Sequence, residues 1–162
     1  MASQPNQETI ERYRRISKEI ADPSLLHRLQ KFFKKRQTLH ELLEWTHARV
    51  IFDKGNIVRR NDPFEIIEHG QGKCREFSVL FTAICLANGY QARLVLDMSD
   101  HVWTEIWNEE LNKWIHVDPS EKRINDPEMY EREWNKNLKE VYAFDNGRLE
   151  DVTSTYKLTR QS

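Results

Sequence analysis

The segment from Cys74 to Asn88 constrains the fold of this 162-residue chain more than any other stretch. A helix here would carry apolar side chains over most of its circumference, and such a helix has to be buried. Gly89 follows at the position where a left-handed residue commonly ends a helix. The pattern therefore predicts a buried central helix, whose apolar residues are Phe77, Leu80, Phe81, Ala83, Ile84, Cys85 and Leu86.

Three short β-prone stretches follow the central helix and predict an antiparallel meander. They cover residues 91–98, 101–107 and 113–117. A further helix is predicted at about 125–135, and two late strands at 140–144 and 149–156 flank the turn Asp145-Asn146-Gly147.

Four helices are predicted before the central one, at residues 8–21, 24–36, 38–52 and 62–70. Ser24, Thr38 and Asp62 are the expected capping residues, because a short polar side chain can bond the free N–H groups of a first turn. Helices followed by a central helix and then strands indicate an α+β fold. We expect a single domain over residues 1–162, in which 1–22 are an N-terminal extension, 23–70 a helical part and 71–157 the core.

Composition narrows the range of partners. The net charge is −1 and the pI about 6.6, so no global basic character points to nucleic acid, and no apolar run reaches 18 residues, so no membrane association is expected. Residues 12–36 carry nine Lys or Arg, which either form a solvated helix face or contact an anionic partner. Two cysteines without metal-site spacing predict no disulfide framework, no metal and no cofactor, and a cytoplasmic location.

Cys74, His101 and Asp118 stand in chain order, each at the edge of a predicted helix or strand. A thiol in a first helical turn is favoured as the thiolate nucleophile, because free N–H groups and the helix dipole stabilise negative charge there. A histidine can act as general base and acid, and a carboxylate can orient its ring. The order predicts a cysteine nucleophile with a Cys-His-Asp triad.

Each member also has an ordinary structural interpretation. Cys74 could be a buried structural thiol, as Cys85 is expected to be, and Asp118 could belong to an Asp-Pro turn. His116 is the rival histidine: it would share a strand face with Asp118 and line the cleft without being the base. Trp103 and Trp114 could be aromatic walls of a cleft or core residues of the sheet.

The chain resembles the transglutaminase-like superfamily and, within it, the cytoplasmic peptide:N-glycanases. The resemblance covers about residues 60–157 and continues through Tyr130, Trp134 and the segment 138–144. The blocks that carry it are Gly72-Lys73-Cys74-Arg75-Glu76-Phe77, Ala92-Arg93, Asp100-His101-Val102-Trp103-Thr104-Glu105 and Trp114-Ile115-His116-Val117-Asp118-Pro119.

This resemblance implies a papain-like α+β core and a cysteine hydrolase that cleaves the amide joining an N-glycan to asparagine. It implies Cys74 as nucleophile, His101 as base and Asp118 as orienting group. Substrate contacts are expected from Arg93, Trp103, Trp114, Glu76 and His116, and the expected partner is a glycopeptide or misfolded glycoprotein.

The chain departs from the family pattern in three ways. The cysteine pairs that usually hold structural zinc are absent, Arg75 replaces the usual glycine after the nucleophile, and Phe77 stands where tryptophan is usual. Two other functions therefore stay open: a transglutaminase-like protease or acyltransferase acting on peptide or glutamine amides, and a catalytically inactive binding module.

Overall fold

The computed structural model describes residues 4–159. Its helices are α1 (Gln4–Ile20), α2 (Pro23–Gln30), α3 (Leu39–Arg49), α4 (Pro63–His69), α5 (Cys74–Ala87), α6 (Met129–Glu133) and α7 (Thr153–Tyr156). Its strands are β1 (Ile51–Phe52), β2 (Gln71–Gly72), β3 (Ala92–Asp97), β4 (His101–Asn108), β5 (Lys113–Asp118), β6 (Arg123–Ile124), β7 (Val141–Asp145) and β8 (Arg148–Asp151). No helix within the described range is both long and apolar enough to cross a bilayer.

Six strands form one antiparallel sheet in the order β6-β5-β4-β3-β7-β8. The predicted meander is its centre, where β3 pairs with β4 and β4 with β5. The hairpin turn between β7 and β8 has positive φ at Asn146 (47°) and Gly147 (84°), as a tight two-residue hairpin requires. The α+β prediction is confirmed: five helices come before β3, the six-stranded antiparallel sheet follows, and the short helices α6 and α7 lie within that second part of the chain.

Helix α5 is the buried central helix that the sequence predicts. Phe77, Leu80, Phe81 and Ile84 are at most 1% exposed and belong to the main apolar core. Two polar contacts fix the helix against β4: Ser78 Oγ donates to the Val102 carbonyl oxygen (3.0 Å), and the Thr82 and Thr104 hydroxyls bond at 2.9 Å. These contacts set the position of α5 relative to the strand that begins at His101.

The sheet has a second, smaller apolar cluster on the face away from α5. Alternation along the strands sends Val95 and Trp103 to this face, while Leu94 and Val102 join the main core. Tyr130 of α6 and Tyr156 of α7 cover the cluster, whose other members are Met129, Leu138, Val141, Ala143 and Val152. His101, His116 and Asp118 share this strand face by the same alternation.

Several helix limits differ from the sequence prediction. Helix α1 begins at Gln4 rather than Glu8. Asp22, not Ser24, caps α2: its carboxylate accepts from Leu25 N (3.0 Å), and Pro23 takes the first helical position, where its missing N–H costs nothing. That helix ends at Gln30 instead of Arg36.

The predicted third helix is too long at its C-terminus. The Thr38–Glu41 capping box begins α3 as expected, but the helix ends at Arg49. Residues 51–52 pair in parallel with 71–72, because the Ile51 and Asp53 N–H groups find acceptors on Gly70 and Gly72.

The predictions after residue 120 are only partly right. The helix expected at 125–135 is the shorter α6, since Asn125 adopts a left-handed φ of 59°. The expected strand 149–156 splits into β8 and α7. At the junction Asp151 accepts bonds from the N–H and hydroxyl of Thr153, which turns the chain into the short helix.

Candidate active site

Two glycines deliver the chain to the start of α5. Gly70 ends α4 with a left-handed φ of 69°, a conformation glycine adopts without steric cost. At Gly72 a Cβ atom would lie 2.3 Å from Cβ of Glu76, so only glycine permits this loop to pass so close to the helix. Cys74 is then the first residue of α5, and its side chain is half-buried.

Glu76 joins the segments on either side of Cys74 by hydrogen bonds. Its fully buried carboxylate accepts two bonds from Arg59 (2.9 and 3.0 Å), one from Arg60 N (3.1 Å) and one from Lys73 N (2.9 Å). Burial favours a higher pKa for Glu76, but these hydrogen bonds and the Arg59 charge lower it below its usual value. Predicted as a substrate contact, Glu76 in fact has its oxygens committed to the protein's own donors.

His101 links the thiol to a buried carboxylate. Its Nε2 lies 2.8 Å from Asp118 Oδ2, and the ring also interacts with the Cys74 side chain. Burial alone would lower the pKa of His101, but hydrogen bonds to Asp118 and Cys74 and the Asp118 charge raise it to about 9. Because Nε2 faces Asp118, Nδ1 is the ring nitrogen left to face the thiol.

Asp118 is fully buried and well supplied with donors. Besides His101, its Oδ2 accepts from the Tyr130 hydroxyl (2.7 Å), and its Oδ1 accepts from Ser120 Oγ (3.1 Å) and Glu121 N (3.2 Å). Burial favours a higher pKa, yet the bonds from His101 and Tyr130 keep the pKa of Asp118 below its ordinary value. The carboxylate therefore stays charged and holds a protonated His101 ring.

Tyr130 connects His116 to the same carboxylate. Its Nε2 donates to the Tyr130 hydroxyl oxygen (2.7 Å), and its Nδ1 accepts from the backbone N–H of Asp126 (3.1 Å). Burial, the largest influence, lowers the pKa of His116 to about 4 despite the charges of Asp118 and Asp126. The ring is thus neutral and forms the outer end of a hydrogen-bond chain from His116 through Tyr130 and Asp118 to His101.

Aromatic rings enclose His101. Trp103 and Tyr130 pack on it with ring centroids at 5.7 and 5.5 Å, and Trp134 meets it edge-on at 4.9 Å. Trp103 is fully buried and stacked on Tyr130, whereas Trp134 is 36% exposed. Trp134 therefore places an exposed aromatic surface directly beside His101.

A cavity of about 250 Å³ opens on the Cys74 side chain. Its walls come from α1, the start of α5, the β3–β4 turn and Arg59, and its charged lining residues are Arg12, Arg59, Lys73, Arg75, Asp97 and Asp100. A larger cavity of about 690 Å³ lies between Arg36, Tyr90 and Trp107, and its lining does not include Cys74.

The structure brings Cys74, His101 and Asp118 together, but it disperses the predicted substrate contacts. Trp103, fully buried, has no surface to offer a ligand. Arg93 bonds Glu105 (2.7 Å) and stacks on Trp114 at 3.9 Å, and both line a separate cavity of about 330 Å³. Because Glu105 stands four residues along β4 from His101, this pair is about 13 Å away along the strand.

Sequence reasoning missed the roles of Tyr130 and Trp134, which entered only as part of a resemblance. The available signal was an aromatic pair at spacing i, i+4 in a polar helical segment directly after the Asp-Pro strand end. Such a pair lies on one helix face. The path of the chain after Pro119 decides which face of the sheet this aromatic pair covers. Local sequence patterns do not predict that path.

Comparison with known proteins finds family models of transglutaminase-like domains and relatives that are named as amidases. Residues 25–119, more than half of the chain, match the family model of the transglutaminase-like superfamily, and residues 98–161 match that of the Rad4 transglutaminase-like domain. Peptide-N(4)-(N-acetyl-beta-glucosaminyl)asparagine amidase of Arabidopsis thaliana is 43% identical over 98 residues, 60% of this chain and 14% of that protein. The Gallus gallus amidase is 40% identical over 103 residues, 64% of this chain and 16% of that protein.

Solved structures show the same fold. A chain from a study of DNA duplex opening by the Rad4/XPC nucleotide excision repair complex superposes with a TM-score of 0.63 at 16% identity, over 96% of this chain and 51% of that one. The papain-like architecture expected from the resemblance is confirmed, and the similar curated proteins are amidases. The match over residues 25–119 decides the family: this chain belongs to the transglutaminase-like superfamily.

Proposed function

We propose that this chain is the catalytic core of a cysteine amidase that hydrolyses the amide between an N-glycan and asparagine. The observation that carries the proposal is the alignment of the Cys74 thiol, the His101 ring and the Asp118 carboxylate, with His101 bonded to Asp118 at 2.8 Å. The similar proteins of Arabidopsis thaliana and Gallus gallus are named as amidases of this bond. Cys74 is the nucleophile, His101 the general acid and base, and Asp118 the group that orients the ring.

In the first step the Cys74 thiolate attacks the carbonyl carbon of the asparagine side chain. A His101 pKa of about 9 keeps the ring protonated at neutral pH, so the imidazolium stands beside the thiolate and holds the proton that the leaving nitrogen needs. The C–N bond breaks, the glycosylamine leaves with that proton, and a thioester remains on Cys74. We assign the stabilisation of the oxyanion to free N–H groups at the start of α5.

In the second step water attacks the thioester carbonyl. Neutral His101 takes a proton from the water, and the Cys74 thiolate leaves beside the re-formed imidazolium. The asparagine has become aspartate. Asp118 remains charged throughout, because its pKa is held below its ordinary value.

The exposed edge of Trp134 beside His101 is the wall we assign to the leaving group. Sugar rings present apolar C–H faces that pack on aromatic side chains, and Trp134 is the exposed ring among the three that enclose His101. Residues 71–157 hold the nucleophile, base, orienting group and this wall, which supports them as the catalytic core.

The test is incubation with a short N-glycosylated peptide in water enriched in heavy oxygen. Mass spectrometry should show conversion of asparagine to aspartate with one heavy oxygen. Cys74→Ala should abolish the conversion. The matched control Cys85→Ala should retain it, because Cys85 is fully buried on the apolar face of α5.

Two other outcomes would replace the proposal. Incorporation of a primary amine into a glutamine peptide, or cleavage of its backbone, without conversion of the glycopeptide would identify an acyltransferase or protease. No Cys74-dependent product from any substrate, together with binding of a glycoprotein or of duplex DNA, would identify an inactive binding module. The proposal itself names a glycopeptide or glycoprotein as the partner.

A further inference from the structure

The cavity beside Cys74 is richer in cations than in carboxylates. Four cationic side chains and two carboxylates line it. Two further charged residues bond these side chains: Glu76 bonds Arg59, and Lys136 bonds both lining carboxylates. Together the set contains five cations and three carboxylates. The cavity therefore holds an excess of positive charge next to the thiol.

The acids at this cavity are already paired. Lys136 Nζ bonds Asp97 Oδ2 (2.8 Å) and Asp100 Oδ1 (2.6 Å), and Ser99 donates further bonds to Asp97. Glu76 is enclosed by Arg59 and two backbone N–H groups. These carboxylates bond Lys136 and Arg59 most closely. Within residues 4–159, Arg12 and Lys73 form no ion pair, and Arg75 has only the longer contact of 3.9 Å with Glu76.

Arg75 is largely buried and has a donor that is not used. Its side chain is 14% exposed, its Nε forms no hydrogen bond within residues 4–159, and Glu76 Oε2 is 3.9 Å away. The Tyr13 hydroxyl also interacts with Arg75 from α1. A guanidinium held in this way, with a donor unused, is suited to bind a carboxylate.

Arg12 contributes a second cation from a different element. It lies one residue before Tyr13 on α1, and it forms no ion pair with any residue that the structure describes. Helix α1 lies outside the matched residues 25–119, whereas Arg75 lies within them on α5. The two cations thus reach the cavity from separate elements of the fold.

We propose that this cavity binds a carboxylate of the substrate next to the scissile amide, so that the protein prefers acidic peptides. The inference rests on the proposed role of Cys74 as nucleophile. The Cys74 thiolate and the His101 imidazolium carry opposite charges, so the cavity keeps its positive excess in the reactive state and attracts a substrate anion. The carboxylate is supplied by an acidic side chain beside the modified asparagine or by the peptide C-terminus.

The first experiment needs no substrate. Iodoacetate and iodoacetamide alkylate the same thiol and differ mainly in charge, so the ratio of their rates at Cys74, measured by peptide mass spectrometry, reports on the cavity. Arg12→Glu should lower this ratio by about threefold to tenfold, because the charge reversal repels the anion near the thiol. Arg15→Glu is the matched control: Arg15 lies on the same helix and lines another cavity, so its ratio should not change.

Two results would overturn the proposal. One is a rate ratio at Cys74 equal to that of a cysteine in a neutral model peptide. The other is an equal loss in Arg12→Glu and Arg15→Glu, which would show a long-range charge effect rather than a site. Arg75→Gln, read against circular dichroism to confirm folding, should lower the ratio in the same direction as Arg12→Glu.

The second experiment compares three glycopeptides. One carries aspartate beside the glycosylated asparagine and an amidated C-terminus, one is neutral with a free C-terminal carboxylate, and one is neutral and amidated. The preferred carboxylate source should show a higher kcat/KM in the wild type, and Arg12→Glu should remove that preference. Equal hydrolysis of all three would refute the cavity proposal alone. No hydrolysis, with the iodoacetate preference and its Arg12 dependence intact, would refute the proposed function and leave the cavity assignment standing.

Discussion

His101 and His116 occupy similar positions in the sheet, but their surroundings shift their pKa values in opposite directions. Both rings lie on the same face of the sheet, on neighbouring strands, and are 8% and 3% exposed. Both also belong to the hydrogen-bond chain that passes through Asp118. Yet the pKa of His101 is raised to about 9, and that of His116 is lowered to about 4.

The difference lies in what each ring nitrogen touches. Burial opposes the charged form of both rings, but His101 Nε2 contacts a carboxylate directly. His116 Nε2 meets a hydroxyl, and its Nδ1 accepts a backbone N–H, an arrangement that only the neutral ring allows. The contact partner, not the depth of burial, therefore separates a ring suited to proton transfer from a structural ring.

Asp118→Asn should produce the largest change, because it removes the group that distinguishes the two histidines. Without the carboxylate, burial acts on His101 with less opposition, and its pKa should fall from about 9 to near or below the ordinary value of about 6.5. Glycopeptide hydrolysis should fall by about 10²-fold to 10⁴-fold. Titration of the ring protons by NMR checks the pKa, and kcat/KM checks the activity.

The same substitution should change how stability depends on pH. In the wild type the folded pKa of His101 lies above its unfolded value, so the charged ring stabilises the fold fully below pH of about 6.5, and this contribution is lost as pH rises towards about 9. Asp118→Asn should remove that alkaline loss from urea unfolding curves. An unchanged alkaline loss in Asp118→Asn would show that the His101–Asp118 contact does not control the titration.

The sequence indicates the reacting groups better than their surroundings. Cys74 could be placed at a helix start because glycines precede it and a strongly apolar helix follows. His101 and Asp118 could be placed at strand ends because alternation and turns mark those ends. These signals are local, so they can be interpreted without knowledge of the tertiary structure.

The surroundings depend on long-range packing that local patterns do not encode. Trp103 and Trp114 have equal standing in the sequence as aromatic residues on strands, but α6 and α7 bury the first, and Arg93 covers the second. Glu76 has the appearance of a site residue beside the nucleophile, and only the folded loop brings Arg59 onto it from 17 residues away.

His116→Gln should have a smaller effect, confined to acidic pH and to stability. The folded pKa of His116 is depressed to about 4, so its neutral ring gives full stability above pH of about 6.5, and this is lost as pH falls towards 4. The loss amounts to roughly 3 kcal/mol at most. Urea unfolding between pH 4 and pH 7 should show a weaker acid destabilisation in His116→Gln than in the wild type. Equal acid slopes in the two proteins would mean that His116 is not buried as a neutral ring.

Tyr130→Phe should change activity little, and the direction in which it shifts the pKa of His101 is the informative result. The hydroxyl donates to Asp118 Oδ2 and accepts from His116 Nε2, so its loss leaves a buried donor unpaired and should cost about 1–3 kcal/mol of stability. With one donor fewer, the Asp118 carboxylate binds the imidazolium more strongly, and the pKa of His101 should rise above that of the wild type. Asp118→Asn should lower the same pKa. NMR titration of the two variants therefore tests the hydrogen-bond chain with two opposite expected shifts. A fall in the His101 pKa in Tyr130→Phe would show that Tyr130 supports the ring directly, through their contact at 5.5 Å between centroids, rather than through Asp118.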